Sequence, residues 1–327
     1  MPGPYNLSTM RDLSCWVMTD AKPGMENQCL GLAEALGVEA VCKHVFPRAP
    51  WRFLPPSLWP APLQAYRADS DPLRPPWPDL LIATGRATVA TSIAIRRRSQ
   101  GRTFTIQIQN PAVDFRKFDL VIPPRHDHCT GPNVFSTRGA LHRVTPQRLA
   151  AEAARFAPTL SPLPHPRVAV LIGGSNKIYR LTPAIVRDLA DRLVAMSRAT
   201  GAALLVTLSR RSGAGTAAVL RERLAGLPAM IWDGLGDNPY FAFLGHADHI
   251  VVTADSISMV SEACSTGKPV YVVELAGGSR KFRRFHEALR ADGITRTFTG
   301  ELAQWHYTPL DDTQRAAAEV RRRLAER

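Results

Sequence analysis

The sequence predicts an α/β fold of two Rossmann-like, parallel-sheet domains facing a cleft, and three observations predict it. The chain has 327 residues, more than one hydrophobic core comfortably serves and about right for two domains. Short apolar runs alternate with helical patterns along both halves, an order that builds a parallel sheet covered by helices. A proline-rich stretch, residues 157–166 (APTLSPLPHP), separates the two series as a stiff, extended linker. The expected domains are 1–156 and 167–310, with 311–327 a C-terminal helix packing back on the first.

In the first half, strands are expected over 13–19, 41–46, 79–84, 104–109 and 120–122, with helices over 26–36 and 88–98. Residues 47–78 hold ten of the 27 prolines. That density blocks both helix and central strand, so the segment reads as an extended surface loop. Its Trp51, Phe53, Trp59 and Trp77 either cover the sheet or meet an acceptor or membrane. In the second half, strands are expected over 167–172, 202–208, 230–232, 249–252 and 270–273. A long helix over 182–199 opens on a Thr182-Pro183 N-cap and N1 pair.

Hydrophobic residues make up 45% and charged residues 21%, a folded balance and not a disordered one. The formal charge of +13 is spread along the chain: 19 Lys/Arg against 12 Asp/Glu in residues 1–160, and 22 against 16 thereafter. Such a diffusely basic body attracts phosphates and anionic lipid headgroups. Interleaved aromatics and zinc-knuckle spacing are missing, so nucleic-acid binding is not expected. The five cysteines, Cys15, Cys29, Cys42, Cys129 and Cys264, show no C-x-x-C spacing and read as reduced thiols of a cytosolic protein. Residues 1–12 lack the pattern of a signal peptide. The apolar runs fall far short of the ~20 residues of a membrane helix. A cytoplasmic protein is expected, at most peripheral on the inner face of the membrane.

The clearer site signals lie in the second half. Gly173 and Gly174 fall where a strand gives way to a loop. They read either as a plain turn or as a place where backbone N–H groups approach a phosphate, with Ser175 and Lys177 as further donors. Ser209-Arg210-Arg211 ends the next strand, as a solvated basic turn or a diphosphate clamp. A third string runs from Val251 through Asp255 and Ser256 into a helix carrying Ser258, Met259 and Glu262. The start of that helix would offer N–H groups and a positive dipole end to an anion, and Glu262 would accept ribose hydroxyls. An ordinary N-cap at Ser256 and an exposed helix face at Glu262 are the structural alternatives.

In the first half, Asp20 through Gln28 forms the first strand-to-helix loop, with Gly24 at its bend. Asp20, Glu26, Asn27 and Gln28 are candidates for holding sugar or acceptor hydroxyls, although Glu26 and Asn27 could simply start the helix. Gly85-Arg86 and Asn110 stand at two further strand ends, where open α/β sheets bind ligands. His126-Asp127-His128-Cys129 invites a metal reading, but no complementary ligand cluster of the usual spacing accompanies it. Its place after a strand suits a general base. His246 and His249 read as structural, and Asp69-Ser70-Asp71, with no strand before it, as a chance D-x-D match.

In order and spacing these strings resemble the ELM1 family, which groups bacterial glycosyltransferase-like proteins with a plant mitochondrial fission factor. The resemblance rests on Asp20 through Gln28, Thr84-Gly85-Arg86, Gln109-Asn110-Pro111, His126-Asp127, Gly131-Pro132-Asn133, Gly173-Gly174, Tyr179-Arg180-Leu181, Ser209-Arg210-Arg211, Gly236 through Tyr240 and Thr253 through Ser256. The family pattern usually has His where this chain has Met25. The resemblance implies a GT-B architecture and a nucleotide-diphosphate sugar as substrate, with Asp237 and Asn238 joining the donor side.

The mechanism expected is displacement at the anomeric carbon, with inversion. Asp127, His126 or Asp20 would deprotonate an acceptor hydroxyl. Lys177, Arg210, Arg211 and the helix start at Ser256 would meet the leaving diphosphate in place of a metal ion, so neither metal nor cofactor is expected. An epimerase or hydrolase on the same scaffold, or a non-catalytic adaptor, are the other readings. The basic segment 281–290, with Phe282, Phe285 and Leu289 at helical spacing, either lies on an anionic membrane that carries a glycolipid acceptor or packs on its own sheet.

Overall fold

The computed structural model describes residues 10–232 and 234–327. The N-terminal segment read for a signal peptide lies almost wholly outside the described residues. The chain divides into two compact units, Met1–Arg143 with Asp311–Arg327, and Val144–Leu310.

The first unit is built on a five-stranded sheet of β1 (Cys15–Thr19), β2 (Ala40–His44), β3 (Leu80–Thr84), β4 (Phe104–Ile108) and β5 (Leu120–Ile122), in the order β2-β1-β3-β4-β5. All its pairs are parallel. Every residue of β3 and β4 is buried, as parallel strands covered on both faces should be. The chain starts in mid-sheet, runs to one edge, then reverses to the other. The switch point therefore lies between β1 and β3, where such sheets bind ligands. The helix Pro23–Leu36 opens on proline, whose fixed φ suits a first helical turn. It thus starts three residues before the expected 26. The C-terminal helix Asp312–Ala325 buries Ala316, Ala317, Val320 and Leu324 in the same core as Cys29, Leu32 and Leu36.

In the proline-rich segment, Trp59 is buried against Ala65 and Ala90, flanked by Trp51 and Tyr66. Trp77 stacks edge-on against Trp16. Arg86 donates to the carbonyls of Leu54, at 2.8 Å, and Phe53. The segment is thus a tied-down cover, and its exposed apolar side chains are Phe53 (66%) and Leu58 (60%).

The second unit carries a six-stranded parallel sheet of β6 (Arg167–Ile172), β8 (Ala203–Leu208), β9 (Ala229–Trp232), β10 (His249–Thr253), β11 (Val270–Val273) and β13 (Thr295–Thr297), in the order β13-β11-β10-β6-β8-β9. Beside it, β7 (Tyr179–Arg180) pairs antiparallel with β12 (Ala276–Gly277). The switch point here falls between β6 and β10. Thr182 caps the helix Pro183–Thr200, accepting from the Ile185 N–H, as its sequence predicts.

The expected linker and the expected boundary between units are corrected. The linker is shorter, because the helix Pro146–Leu160 runs through 157–160 with Pro158 inside it. Burial overrides the proline: Leu160, Leu149 and Phe156 all belong to the second unit's core. The boundary between units consequently falls after Arg143 and not after residue 156. Of the two readings of the helix Arg280–Ala291, packing on its own sheet is the one observed. Phe285 and Leu289 are buried in the core, and Phe282 stacks on Tyr179 at 5.1 Å. Its own sheet takes the face that was a candidate for the membrane.

Candidate functional site

In the second unit the three motifs come together, because β10, β6 and β8 are neighbours in the sheet. Their centre is the buried carboxylate of Asp255. It accepts from the Gly174 N–H at 3.0 Å, the Thr253 hydroxyl at 2.7 Å and the Arg211 guanidinium at 2.9 Å. The Gly173 N–H donates to Thr253 Oγ1 at 2.8 Å. From β8, the Ser209 hydroxyl donates to the Gly173 carbonyl at 2.7 Å, joined by that of Ser212. Charge-assisted bonds of this kind are the strong ones.

This arrangement corrects one expectation. The N–H groups of Gly173 and Gly174 are already engaged by Thr253 and Asp255 and do not face a ligand. The glycines serve close approach. A Cβ on Gly173 would sit 2.1 Å from Asp255 Oδ1, and one on Gly174 2.1 Å from the Arg211 carbonyl. The groups left to meet an anion are the exposed Lys177 and Arg210, the outer part of Arg211, and the helix Ile257–Cys264. Ser175 Oγ accepts from Leu181 N and keeps its proton to donate. Ser256 is the N-cap of that helix, accepting from Met259 N at 3.3 Å, and Ser258 and Met259 are half-buried in its first turn.

For Glu262 the exposed helix face is corrected. It is buried, not exposed, and its Oε2 takes the Tyr240 hydroxyl at 2.5 Å. Burial pushes its carboxyl up to about 7, against the lowering effect of the tyrosine bond. Asp237 and Asn238 are engaged elsewhere. Asp237 pairs with Arg155 at 2.9 Å on the surface, and Asn238 Oδ1 accepts from Tyr240 N.

In the first unit, Asp20 lies just past β1, paired with Lys22 through Oδ2. Its Oδ1 is buried with no partner among the described residues. Gly24 and Gln28 bond to each other, Gln28 Nε2 donating to the Gly24 carbonyl at 3.0 Å. Glu26 binds the His44 ring at 2.8 Å, and Asn27 is half-buried beside it. After β3, Gly85 has φ +82°, and the Met25 methyl lies where its Cβ would be, 2.2 Å away. The first loop and the β3 end therefore meet across the switch point. After β4, Asn110 Oδ1 accepts from Ala112 N, and Gln109 and Ala112 have φ of 71° and 54°. Such non-glycine conformations cost energy and cluster at functional sites. After β5, His126 Nε2 lies 3.9 Å from Asp127 Oδ1 in a buried turn. Arg86 is a tie to the proline-rich segment, through the carbonyls of Phe53 and Leu54.

A family model described as mitochondrial fission ELM1 matches residues 23–324. The chain belongs to the ELM1 family. Its relatives include the mitochondrial fission protein ELM1 of Arabidopsis thaliana, 36% identical over 277 residues. That match covers 76% of this chain and 65% of the plant protein, so the chain spans just under two thirds of that relative's length. In fold, this ELM1-family chain is similar to the UDP-GlcNAc 2-epimerase of Methanocaldococcus jannaschii (TM-score 0.54, 10% identity, 94% of this chain and 99% of that one). It is also similar to the glycotransferase of kitacinnamycin (TM-score 0.50, 13% identity, 96% and 93%). These likenesses show a GT-B-like α/β fold with two parallel sheets. Among the described residues of the ELM1-family chain, no group of three His, Cys, Asp or Glu could hold a metal ion, and no helix is long and apolar enough to cross a membrane.

Proposed function

We propose that this ELM1-family chain transfers a sugar from a nucleotide-diphosphate sugar to an acceptor hydroxyl, inverting and without a metal. One observation carries the reading. Three strand ends at the switch point of the second unit converge on Asp255 and leave Lys177 and Arg210 exposed beside a helix start. Two cations and a helix dipole suit a diphosphate leaving group. Arg211 is held by Asp255 and positions the knot, while Glu262 Oε1 is the atom for a ribose hydroxyl. Asp127, backed by His126, takes the acceptor proton, and Asp20 is the other candidate base. The oxygen of the acceptor bonds to the anomeric carbon as the bond to the diphosphate breaks.

The cleaner test leaves Arg211 alone, since removing it would strand a buried carboxylate. Titration with UDP in EDTA should show Lys177→Ala and Arg210→Ala each weakening binding roughly tenfold or more, by about 1.5–3 kcal/mol for a charge-assisted contact, with thermal stability unchanged. Unaltered affinity in both variants would sink the donor assignment. Product analysis of UDP-GlcNAc without acceptor separates transfer from epimerisation or hydrolysis. An adaptor would bind no nucleotide at all.

The acceptor we propose is a glycolipid at an anionic membrane surface. The support for it lies in the proline-rich segment and not in the Arg280–Ala291 helix. In that segment Phe53 and Leu58 stand exposed beside exposed Arg48 and Arg52, and residues 47–68 contain no Asp or Glu. Basic residues near such a surface contribute about 1 kcal/mol each. Co-sedimentation with phosphatidylserine-containing vesicles should fall at least severalfold in the Phe53→Ser/Leu58→Ser variant and fade with salt. Equal sedimentation of variant and parent would point to a soluble acceptor.

A further inference from the structure

The second unit encloses a cavity of about 410 Å³ at the ends of β11 and β13, beside the helix Arg280–Ala291. Its size falls within the range of small-molecule sites. Neither Lys177 nor Arg210, the cations of the donor reading, lines it. His286 and Thr295 do, but their unpartnered polar atoms are closed off, and nothing in the cavity touches them. The groups within reach are others.

The first is the hydroxyl of Tyr179, in one of the strings that carry the family resemblance and one that the donor reading leaves without a role. The residue is 6% exposed, and its ring is fixed against Phe282 at 5.1 Å. Its backbone is satisfied by Asn176, through Oδ1 and the N–H. The hydroxyl has no partner among the described residues, yet it is not among the atoms closed off from solvent. It lies beside Gly278, 4.0 Å from where a Cβ on that glycine would stand, and Gly277 and Gly278 form exposed wall of the cavity. Burial first, and then Glu274, raises the phenol above the ordinary tyrosine range, so it keeps its proton and donates. Buried polar groups nearly always have a partner. A tyrosine hydroxyl left open on a cavity wall points to a ligand that accepts.

The charges narrow the class. Of the two arginines on the wall, Arg290 is taken by Glu274 at 3.4 Å, whereas Arg283 stands exposed with no ion pair among the described residues. Ser279, the N-cap of the helix, accepts from Phe282 N at 3.4 Å and keeps its own proton to donate. Ser279 follows Gly278 in the chain and Arg283 stands one helical turn further on, so the two share a side of the cavity with the Tyr179 hydroxyl. Residues 280–291 hold five Lys/Arg against one Glu, and the helix start adds its positive dipole end. Two hydroxyl donors and a guanidinium suit a phosphate, with its three strong acceptor oxygens, better than a carboxylate with two. The cavity is far larger than a phosphate ion, and the buried side chains of Val272 and Leu275 form an apolar part of its wall. The ligand therefore has an organic part as well.

We infer that this cavity is a second anion site of the second unit and binds a small phosphate monoester, the phosphate held by Tyr179, Ser279 and Arg283 and the organic part lying against Val272 and Leu275. The site goes beyond the donor reading and does not depend on it. Tyr179→Phe and Arg283→Gln are the informative changes. Neither breaks a bond within the protein, so thermal stability should stay at the parent's value in both.

Ligand-observed NMR at millimolar concentration should show glycerol 3-phosphate binding to the full chain and glycerol silent. Inorganic phosphate and glycerate should each bind severalfold more weakly than the ester. Arg283→Gln should weaken glycerol 3-phosphate roughly tenfold, as loss of a charge-assisted contact does, and Tyr179→Phe about threefold or more. Lys177→Ala and Arg210→Ala should leave it unchanged. No binding of glycerol 3-phosphate, or equal binding in parent, Tyr179→Phe and Arg283→Gln, overturns the inference. A loss in Lys177→Ala as large as that in Arg283→Gln puts the phosphate in the donor site and overturns the cavity assignment. Inorganic phosphate binding as tightly as the ester overturns the organic part, and glycerate doing so overturns the phosphate. Failure of the donor reading has a different signature: UDP affinity would be unaltered in Lys177→Ala and Arg210→Ala, whatever glycerol 3-phosphate does.

Discussion

Gly174→Ala should destabilise the second unit by about 3 kcal/mol or more, the range in which close-packed interiors reject added atoms. The new methyl would stand 2.1 Å from the carbonyl oxygen of Arg211 and 2.2 Å from its carbon. Backbone atoms cannot swing aside as a side chain would. The turn from Ser209 to Ser212 is itself anchored by hydroxyl bonds to the Gly173 carbonyl, so relief would require breaking the knot. Gly215 supplies the control. It lies inside the helix Ala214–Arg223, with nothing within 4 Å of where a Cβ would stand. Gly215→Ala should therefore stabilise by roughly 0.5–1 kcal/mol, through helix propensity alone. Urea unfolding midpoints at constant m-value report both changes. Equal midpoints for Gly174→Ala and the parent would mean that the glycine pair is a plain turn.

Glu262→Gln should reverse a pH-dependent weakness of the protein. The buried carboxyl titrates at about 7 in the folded chain, against an ordinary value of 4.5. Between those values the folded state holds a proton that the unfolded state has released. Stability therefore falls as pH rises from about 4.5 to about 7, and this group costs up to about 3 kcal/mol above that window. Glutamine is neutral throughout and still offers an oxygen to the Tyr240 hydroxyl. The variant should match the parent near pH 4.5 and exceed it by up to that amount at pH 8. Parallel stability curves across this range would show that the carboxyl ionises normally and is not shielded. A variant less stable than the parent at pH 8 would mean that the charged form is the one the fold requires.

The sequence by itself determined the two α/β series, their central strands and the order of the motifs. These are local properties. β3, β6 and β8 are apolar runs (LLIAT, RVAVLI and ALLVTL) in which only Thr84, Arg167 and Thr207 are polar, and strands covered on both faces read that way. Proline at Pro183 and the cap at Thr182 mark a helix start through fixed φ and a single side-chain bond. Only the tertiary structure decided which groups are free. Gly173 and Gly174 spend their N–H groups on partners 80 and 81 residues away, so no local spacing could reveal it. Glu262 is buried because Tyr240 lies over it, and the phenylalanines of Arg280–Ala291 vanish into the core because their own sheet offers the nearest apolar surface. The tautomer of His286 follows the same rule, since it is set by the one atom its Nε2 meets, here the carbonyl of Ala254 across 32 residues of chain.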